Sequence, residues 1–220
     1  LQYSELELAR TDIHSDKTAV QELLNLFEER TAGLGVTSLN ERNNRPDDYC
    51  RLYRQRFLPQ KEQSKAAGAR VTWIKPPHER YRALADTALT DGLYGGTTYV
   101  ESWVGWEGAD AAVVLDLGEE KTFSRGETGF VYQLGAWNLL PAGGTYSVSS
   151  DNKEFRPFGS FKFDEDRDVQ VKFVKGEVTA EQPVTARYIK VEVKGIGLCP
   201  TWHYGVGYPA WFFMDEVNVY

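Results

Sequence analysis

The stretch Ala186-Arg187-Tyr188-Ile189-Lys190-Val191-Glu192-Val193-Lys194 sets Ile189, Val191 and Val193 in alternation with Tyr188, Lys190, Glu192 and Lys194. Side chains leave a strand on alternate faces, so this spacing predicts a strand with one face in a core and the other in water. Upstream, Ser147 to Gly159 reads as a strand running into an Asp151-Asn152 turn, and downstream Phe212 to Tyr220 closes the chain as another strand. Together these pieces predict a β-sandwich edge rather than a catalytic core. Further strand signals at Arg70 to Ile74, Ala112 to Leu117, Gly129 to Leu134, Thr145 to Ser149 and Val169 to Val174 are divided by Gly, Pro, Asp and Asn clusters. Short strands with such punctuation suit a mainly β, antiparallel β-sandwich.

The N-terminal part has a different pattern. Val20, Leu23, Leu24 and Phe27 fall at i, i+3, i+4 and i+7, which places them on one helical stripe, with Ser15 or Asp16 positioned to cap and Gly33 and Gly35 to terminate. A second helix is predicted from Pro46-Asp47-Asp48 through Tyr49, Leu52, Tyr53 and Phe57, stopping before Pro59, and a short third one over Tyr3 to Ile13. These stripes offer too little partner surface for a large core. All six Trp lie at or beyond Trp73, which divides the chain into a helical segment, 1–62, and a sandwich, 63–220. The helical segment is expected to be a hairpin packed on the sandwich or the tail of an upstream catalytic domain. Because the sequence starts at Leu1 without a Met or a signal peptide, the chain is expected to be a fragment or processed product.

Composition excludes several functions. The net charge is −7, with 9 basic and 11 acidic side chains in residues 1–62, so the acidity is spread along the chain. Nucleic-acid binding relies on clustered Lys and Arg, and no such cluster is present. No apolar run reaches the roughly 20 residues of a spanning helix, so no membrane span is expected. Cys50 and Cys199 form no CxxC zinc pair and are read as small buried hydrophobes, with a mutual disulfide open only in an oxidising compartment.

Four short strings occur in order: Leu89-Thr90-Asp91-Gly92, Trp103-Val104-Gly105-Trp106, Trp137-Asn138-Leu139-Leu140-Pro141 and Phe213-Met214-Asp215-Glu216. With the strand Ala112 to Gly118, they make residues 64–220 resemble the discoidin, or coagulation factor V/VIII type C, domain. In detail they resemble the module at the C-terminus of bacterial β-N-acetylhexosaminidase-type glycoside hydrolases. The resemblance implies a galactose-binding-like jelly roll, non-catalytic in itself. It implies a carbohydrate-binding or accessory role in a secreted glycan-degrading enzyme, extracellular or periplasmic. The implied partners are a glycan or glycoconjugate and the adjacent catalytic domain. The alternative is a structural or protein-interaction module that orients that domain without binding sugar.

Many domains of this kind hold a structural calcium ion. The resemblance carries this over to Asp91, an oxygen of Thr97 or Thr98, Glu216, and backbone carbonyls near Ala88 and Asp215. Calcium takes six to eight oxygen ligands and tolerates irregular loops. Equally, Asp91 and Gly92 would by themselves form an Asx-type turn.

Sugar recognition sets an aromatic ring against the apolar face of a pyranose and fixes hydroxyls with polar side chains. Trp202-His203-Tyr204, in the segment Gly197 to Pro209 before the last strand, carries that vocabulary. Trp137, Asn138 and Arg156 are further candidates. The plainer alternative for Trp202 and Tyr204 is a packed loop, and for Trp103, Trp106, Trp137 and Trp211 it is core packing. His203 has no partner at ligand or catalytic spacing. Asp164-Glu165-Asp166-Arg167-Asp168 reads as a solvated turn, since a glycosidase pair needs one carboxyl kept protonated by burial.

Overall fold

The computed structural model describes residues 2–11, 16–39, 45–57, 63–82, 85–96 and 102–220. The chain divides into two compact units, Leu1–Lys61 with Tyr94–Tyr99, and Glu62–Leu93 with Val100–Tyr220.

The first unit is built from α1 (Gln2–Thr11), α2 (Lys17–Gly33) and α3 (Pro46–Phe57). Asp16 caps α2, its carboxylate accepting from the backbone N–H of Thr18 at 2.9 Å. At the other end the N–H groups of Leu34, Gly35 and Val36 close on the carbonyls of Arg30, Ala32 and Thr31. Val20, Leu24 and Phe27 are buried, as their stripe predicts, against Leu6, Cys50 and Tyr53. The Tyr53 hydroxyl ties α3 to α1 by donating to the Leu6 carbonyl at 2.8 Å. The cluster is small, and Leu8 and Leu34 stay exposed. Among the described residues no helix is long and apolar enough to cross a membrane.

The second unit is an antiparallel jelly roll whose strands among the described residues are β1 (Arg70–Lys75), β2 (Val104–Glu107), β3 (Ala111–Tyr132), β4 (Gly143–Ser149), β5 (Arg156–Lys162), β6 (Lys172–Lys194) and β7 (Trp211–Val219). The hydrogen-bonded order is β2-β7-β3-β6-β4-β5, with β1 also paired to β3. Along its first half β3 lies between β1 and β6, and along its second between β6 and β7, so one strand pairs with three others. Signals at Ala112 to Leu117 and Gly129 to Leu134 therefore belong to one strand, as do those at Val169 to Val174 and Tyr188 to Val193. Gly118 and Pro183, residue types that usually interrupt strands, lie inside β3 and β6. Gly118 adopts φ +83°, open to a residue without Cβ, and the register shifts between Asp116 and Lys121, so β3 bends without ending.

The edge position expected of the C-terminal strands is also corrected. β6 has β3 and β4 on its two sides and β7 has β2 and β3, so both are interior. Ile189, Val191 and Val193 do point into the core, and Asp151 and Asn152 do turn the chain from β4 into β5, with Asn152 at φ +60°. Trp103 and Trp106 are core residues, Trp106 stacking on Phe212 at 5.2 Å. Cys50 and Cys199 are both free and buried.

Two polar features pin the strands. Asp116 on β3 accepts two bonds from Arg187 on β6, at 2.8 and 3.0 Å, and one from Arg70 on β1 at 3.1 Å. The Arg187 guanidinium in particular holds the Asp116 carboxyl down to about 2. On β7, Asp215 and Glu216 together face the single residue Gly129 of β3, since Met214 pairs with Phe130 and Val217 with Thr128. This bulge lets Phe212 and Met214 before it, and Val217 and Val219 after it, all reach the core. Gly129 is required there, because a Cβ at that position would overlap the Asp215 carboxylate.

Candidate functional site

The segment from Gly197 to Pro209 is a compact loop closed on itself. Leu198 bridges to Pro209, the Cys199 N–H donates to the Tyr208 carbonyl at 2.8 Å, and the Gly207 N–H to Cys199 at 3.1 Å. His203 is its internal tie. Nδ1 accepts from the Gly205 N–H at 3.0 Å, so the proton sits on Nε2, which donates to the Leu134 carbonyl at 3.3 Å. Only 3% of the residue is exposed, and both ring nitrogens are occupied. His203 thus positions the loop, and no ring nitrogen is left for a sugar hydroxyl.

The Tyr204 hydroxyl donates to the carbonyls of Gly135 (2.9 Å) and Leu134 (3.2 Å), docking the loop on the 3₁₀ turn Leu134–Ala136. Trp137 ends that turn in the left-handed region at φ +60°. Its ring meets Tyr204 at 6.0 Å, Tyr208 at 5.5 Å and, edge-on, His203 at 6.2 Å. Tyr204 and Tyr208 are 65% and 61% exposed, so they and Trp137 form an aromatic surface open to solvent. Tyr208 was not expected. It lies in the same Gly- and Pro-bounded loop, and that context was the available signal.

Trp202 sits on the other side of His203, at 5.9 Å, and lines a cavity of about 310 Å³. Leu139, Leu140 and Pro141 give that cavity an apolar wall, and Asp164, Glu165 and Asp166 a polar rim. Arg167 lies over the Trp202 ring at 5.0 Å and bonds Glu165 at 2.7 Å. The rim is fixed from beneath by Tyr132, whose hydroxyl donates to the backbone carbonyls of Asp166 and Asp168 at 3.0 and 2.9 Å. The carboxyls of Asp166 and Asp168 lie below their usual range. Asp166 is held there first by Lys172, and Asp168 first by the backbone N–H of Gln170. They are ionised hydrogen-bond acceptors, as the solvated-turn reading of this segment expects.

The other candidates are elsewhere. Asn138 is fully buried between Gln133 and Trp211, below the aromatic surface. Arg156 begins β5 and points its guanidinium at the Thr185 carbonyl. The β4–β5 ladder from Val148↔Arg156 to Gly143↔Lys162 separates it from the Trp202 end by roughly 17 Å at ~3.4 Å per residue.

Of the cation candidates, Asp91 and Glu216 converge. The Gly92 N–H donates to Glu216 Oε1 at 2.9 Å, and Asp91 Oδ1 accepts from the Leu93 N–H at 2.8 Å, which is the Asx turn. Burial, followed by the neighbouring Asp91 and Asp215, pushes the Glu216 carboxyl up to about 9. Glu216 is buried and Asp91 is exposed, so the pair sets one sealed and one solvated carboxyl side by side. Asp215 instead faces Gly129, and Ala88 is buried nearby in sequence. Thr97 and Thr98 lie outside the described residues. Among the described residues no three His, Cys, Asp or Glu side chains group at metal-binding distance.

Residues 74–212 match the F5/8 type C domain. The chain belongs to the F5/8 type C domain family. The domain it matches is non-catalytic. Among solved structures, this F5/8 type C chain is similar to SpGH29 (18% identity, TM-score 0.46), covering 80% of its own length and 30% of that chain. It is similar to a GH29 fucosidase of Ruminococcus gnavus in complex with fucose (15%, 0.48), covering 80% of itself and 29% of that chain. A third is chitosan-binding module 1 of a chitosanase/glucanase from Paenibacillus sp. IK-5 (16%, 0.43), with 72% and 99% covered. No curated protein matches the chain significantly.

Proposed function

We propose that this F5/8 type C domain is the carbohydrate-binding accessory module of a glycan-degrading enzyme that works outside the cytoplasm. The carrying observation is the Trp202 cavity. An indole with Arg167 over its ring, an apolar wall at Leu139 to Pro141 and an acidic rim at Asp164 to Asp166 together offer a pyranose an apolar surface to lie against and acceptors for its hydroxyls. The exposed rings of Tyr204 and Tyr208 extend the contact surface from the same loop. His203 and the loop's internal hydrogen bonds hold these rings in place before ligand arrives, which lowers the ordering cost of binding. Asn138 and Arg156 take no part in this reading.

A calcium ion at Asp91 and Glu216 completes it. Bound there, it would supply charge neutralisation and link the Asp91-Gly92 turn to β7. The residues named do no chemistry of their own.

The test is a glycan array on the wild-type chain, followed by titration calorimetry of each hit against wild type and Trp202→Ala. Even a dissociation constant of ~1 mM corresponds to about −4 kcal/mol, so millimolar titrations are required. Loss of binding in Trp202→Ala supports the site. A hit bound equally well by Trp202→Ala overturns it, and a chain that binds no glycan favours the structural module that only orients its neighbour.

A further inference from the structure

A second concavity, of about 610 Å³, lies on the outward face of β5, β4 and β6. Residues directly paired across strands stand on the same face. One such row is Lys162 on β5, Gly143 on β4 and Lys194 on β6, and the next is Ser160, Thr145 and Glu192. The middle of the first row has no side chain, so a trough runs between two lysine stems whose backbones are two strand spacings, roughly 10 Å, apart. The trough stays open because a Cβ on Gly143 would meet the Phe161 carbonyl.

Charge in the trough is arranged asymmetrically. Asp110 accepts from Lys75 at 3.0 Å and from Lys194 at 3.2 Å, which gathers two ammonium groups at one wall. Each ammonium carries three donors, so both retain donors for a ligand. Glu192 is engaged by Lys190 at 3.0 Å. Three cations, Lys75, Lys162 and Lys194, thus face a groove in a chain of net charge −7. Thr145 and Ser160 stand in the neighbouring row. Phe161, the aromatic residue among the lining, is buried and offers no exposed ring on which a neutral pyranose could lie.

We propose that this groove binds an acidic saccharide, one bearing a uronate carboxylate or a sulfate ester, through Lys162, Lys194 and Lys75, with Thr145 and Ser160 meeting its hydroxyls. That the anion is carried on a sugar rests on the accessory-module reading; the anion site does not.

The experiment titrates the full chain, at low and at high salt, with a galacturonate oligomer, a heparin-derived oligomer, a neutral chito-oligomer and inorganic sulfate. The proteins are wild type, Lys162→Glu/Lys194→Glu, Thr145→Glu and Trp202→Ala. The replaced lysines and Thr145 are exposed, and a thermal melt confirms that the variants fold. An acidic oligomer is expected to bind wild type and to weaken as salt screens the contacts. It is expected to lose at least about tenfold in both groove variants while Trp202→Ala leaves it unchanged. The galacturonate and heparin arms distinguish carboxylate from sulfate. The proposal is overturned if neither acidic oligomer binds wild type, if either binds the groove variants as well as wild type, or if the neutral oligomer binds the groove as tightly. Inorganic sulfate binding as tightly as the sulfated oligomer would overturn the saccharide assignment. Lysine-dependent binding of acidic oligomers without any Trp202-dependent binding would refute the Trp202 site and leave this one standing.

Discussion

Replacing Asp116 by Asn removes one charge from the point where β1, β3 and β6 are tied together, while an amide oxygen remains for the Gly118 N–H. The Asp116 carboxyl is held near 2 against an ordinary 3.8, and at about 1.4 kcal/mol per unit this corresponds to roughly 2.5 kcal/mol. Water discounts that figure, because the Arg70 and Arg187 side chains are 78% and 39% exposed although Asp116 is 9% exposed. The expected loss at pH 7 is about 1–2 kcal/mol, or a Tm lower by roughly 2–8 °C at ~2–4 °C per kcal/mol. The sign with pH follows from a depressed carboxyl. The native state holds fewer protons than the unfolded state between about 4 and about 2, so the stabilisation is complete above pH 4 and fades as pH falls through 2. Urea unfolding followed by tryptophan fluorescence is the assay, since all six Trp lie beyond residue 72 and report on the sandwich. Equal stability of Asp116→Asn and wild type at pH 7, or a difference unchanged at pH 2, would refute the reasoning.

Gly129→Ala should cost at least about 2 kcal/mol, because the added methyl overlaps the buried Asp215 carboxylate inside the bulge; a melt within a degree of wild type would show that the bulge relaxes freely. For calcium, a melt in chelator and again in excess Ca²⁺ should differ, with about 2.7 kcal/mol gained at one hundred times the dissociation constant. Glu216→Gln should abolish that difference, and a calcium response that survives the substitution would count against the Asp91 and Glu216 pair.

The parts of the fold legible in the sequence are those governed by local period. Ile189, Val191 and Val193 announce their buried face, and Val20, Leu24 and Phe27 theirs, because neither depends on distant partners. What was not legible depends on pairing. Gly118 and Pro183 look like strand ends but lie inside β3 and β6, where neighbouring ladders carry the backbone through. The Asp215–Glu216 bulge left a trace, since Phe212 and Met214 keep one parity and Val217 and Val219 the other, yet its partner Gly129 could be found only from the register.

The candidate site divides in the same way. Trp202 and Tyr204 share one loop in the sequence, whereas Trp137 meets that loop from the Leu134–Ala136 turn, a contact that pairing across the fold creates. His203 looked like a contact residue, and only the Leu134 carbonyl and Gly205 N–H, the former distant in sequence, reveal it as a tie. Arg156 has the side chain of a sugar contact, but strand length carries it to the far end of the ladder.

The most direct measurement of the carbohydrate reading is a two-dimensional ¹H–¹⁵N NMR titration that follows the six Trp indole N–H signals as a glycan hit is added. The account predicts that the Trp202 signal moves most and Trp137 next, while Trp103 and Trp106, sealed in the core, stay still. A saturable titration in which the Trp202 signal does not move would contradict it.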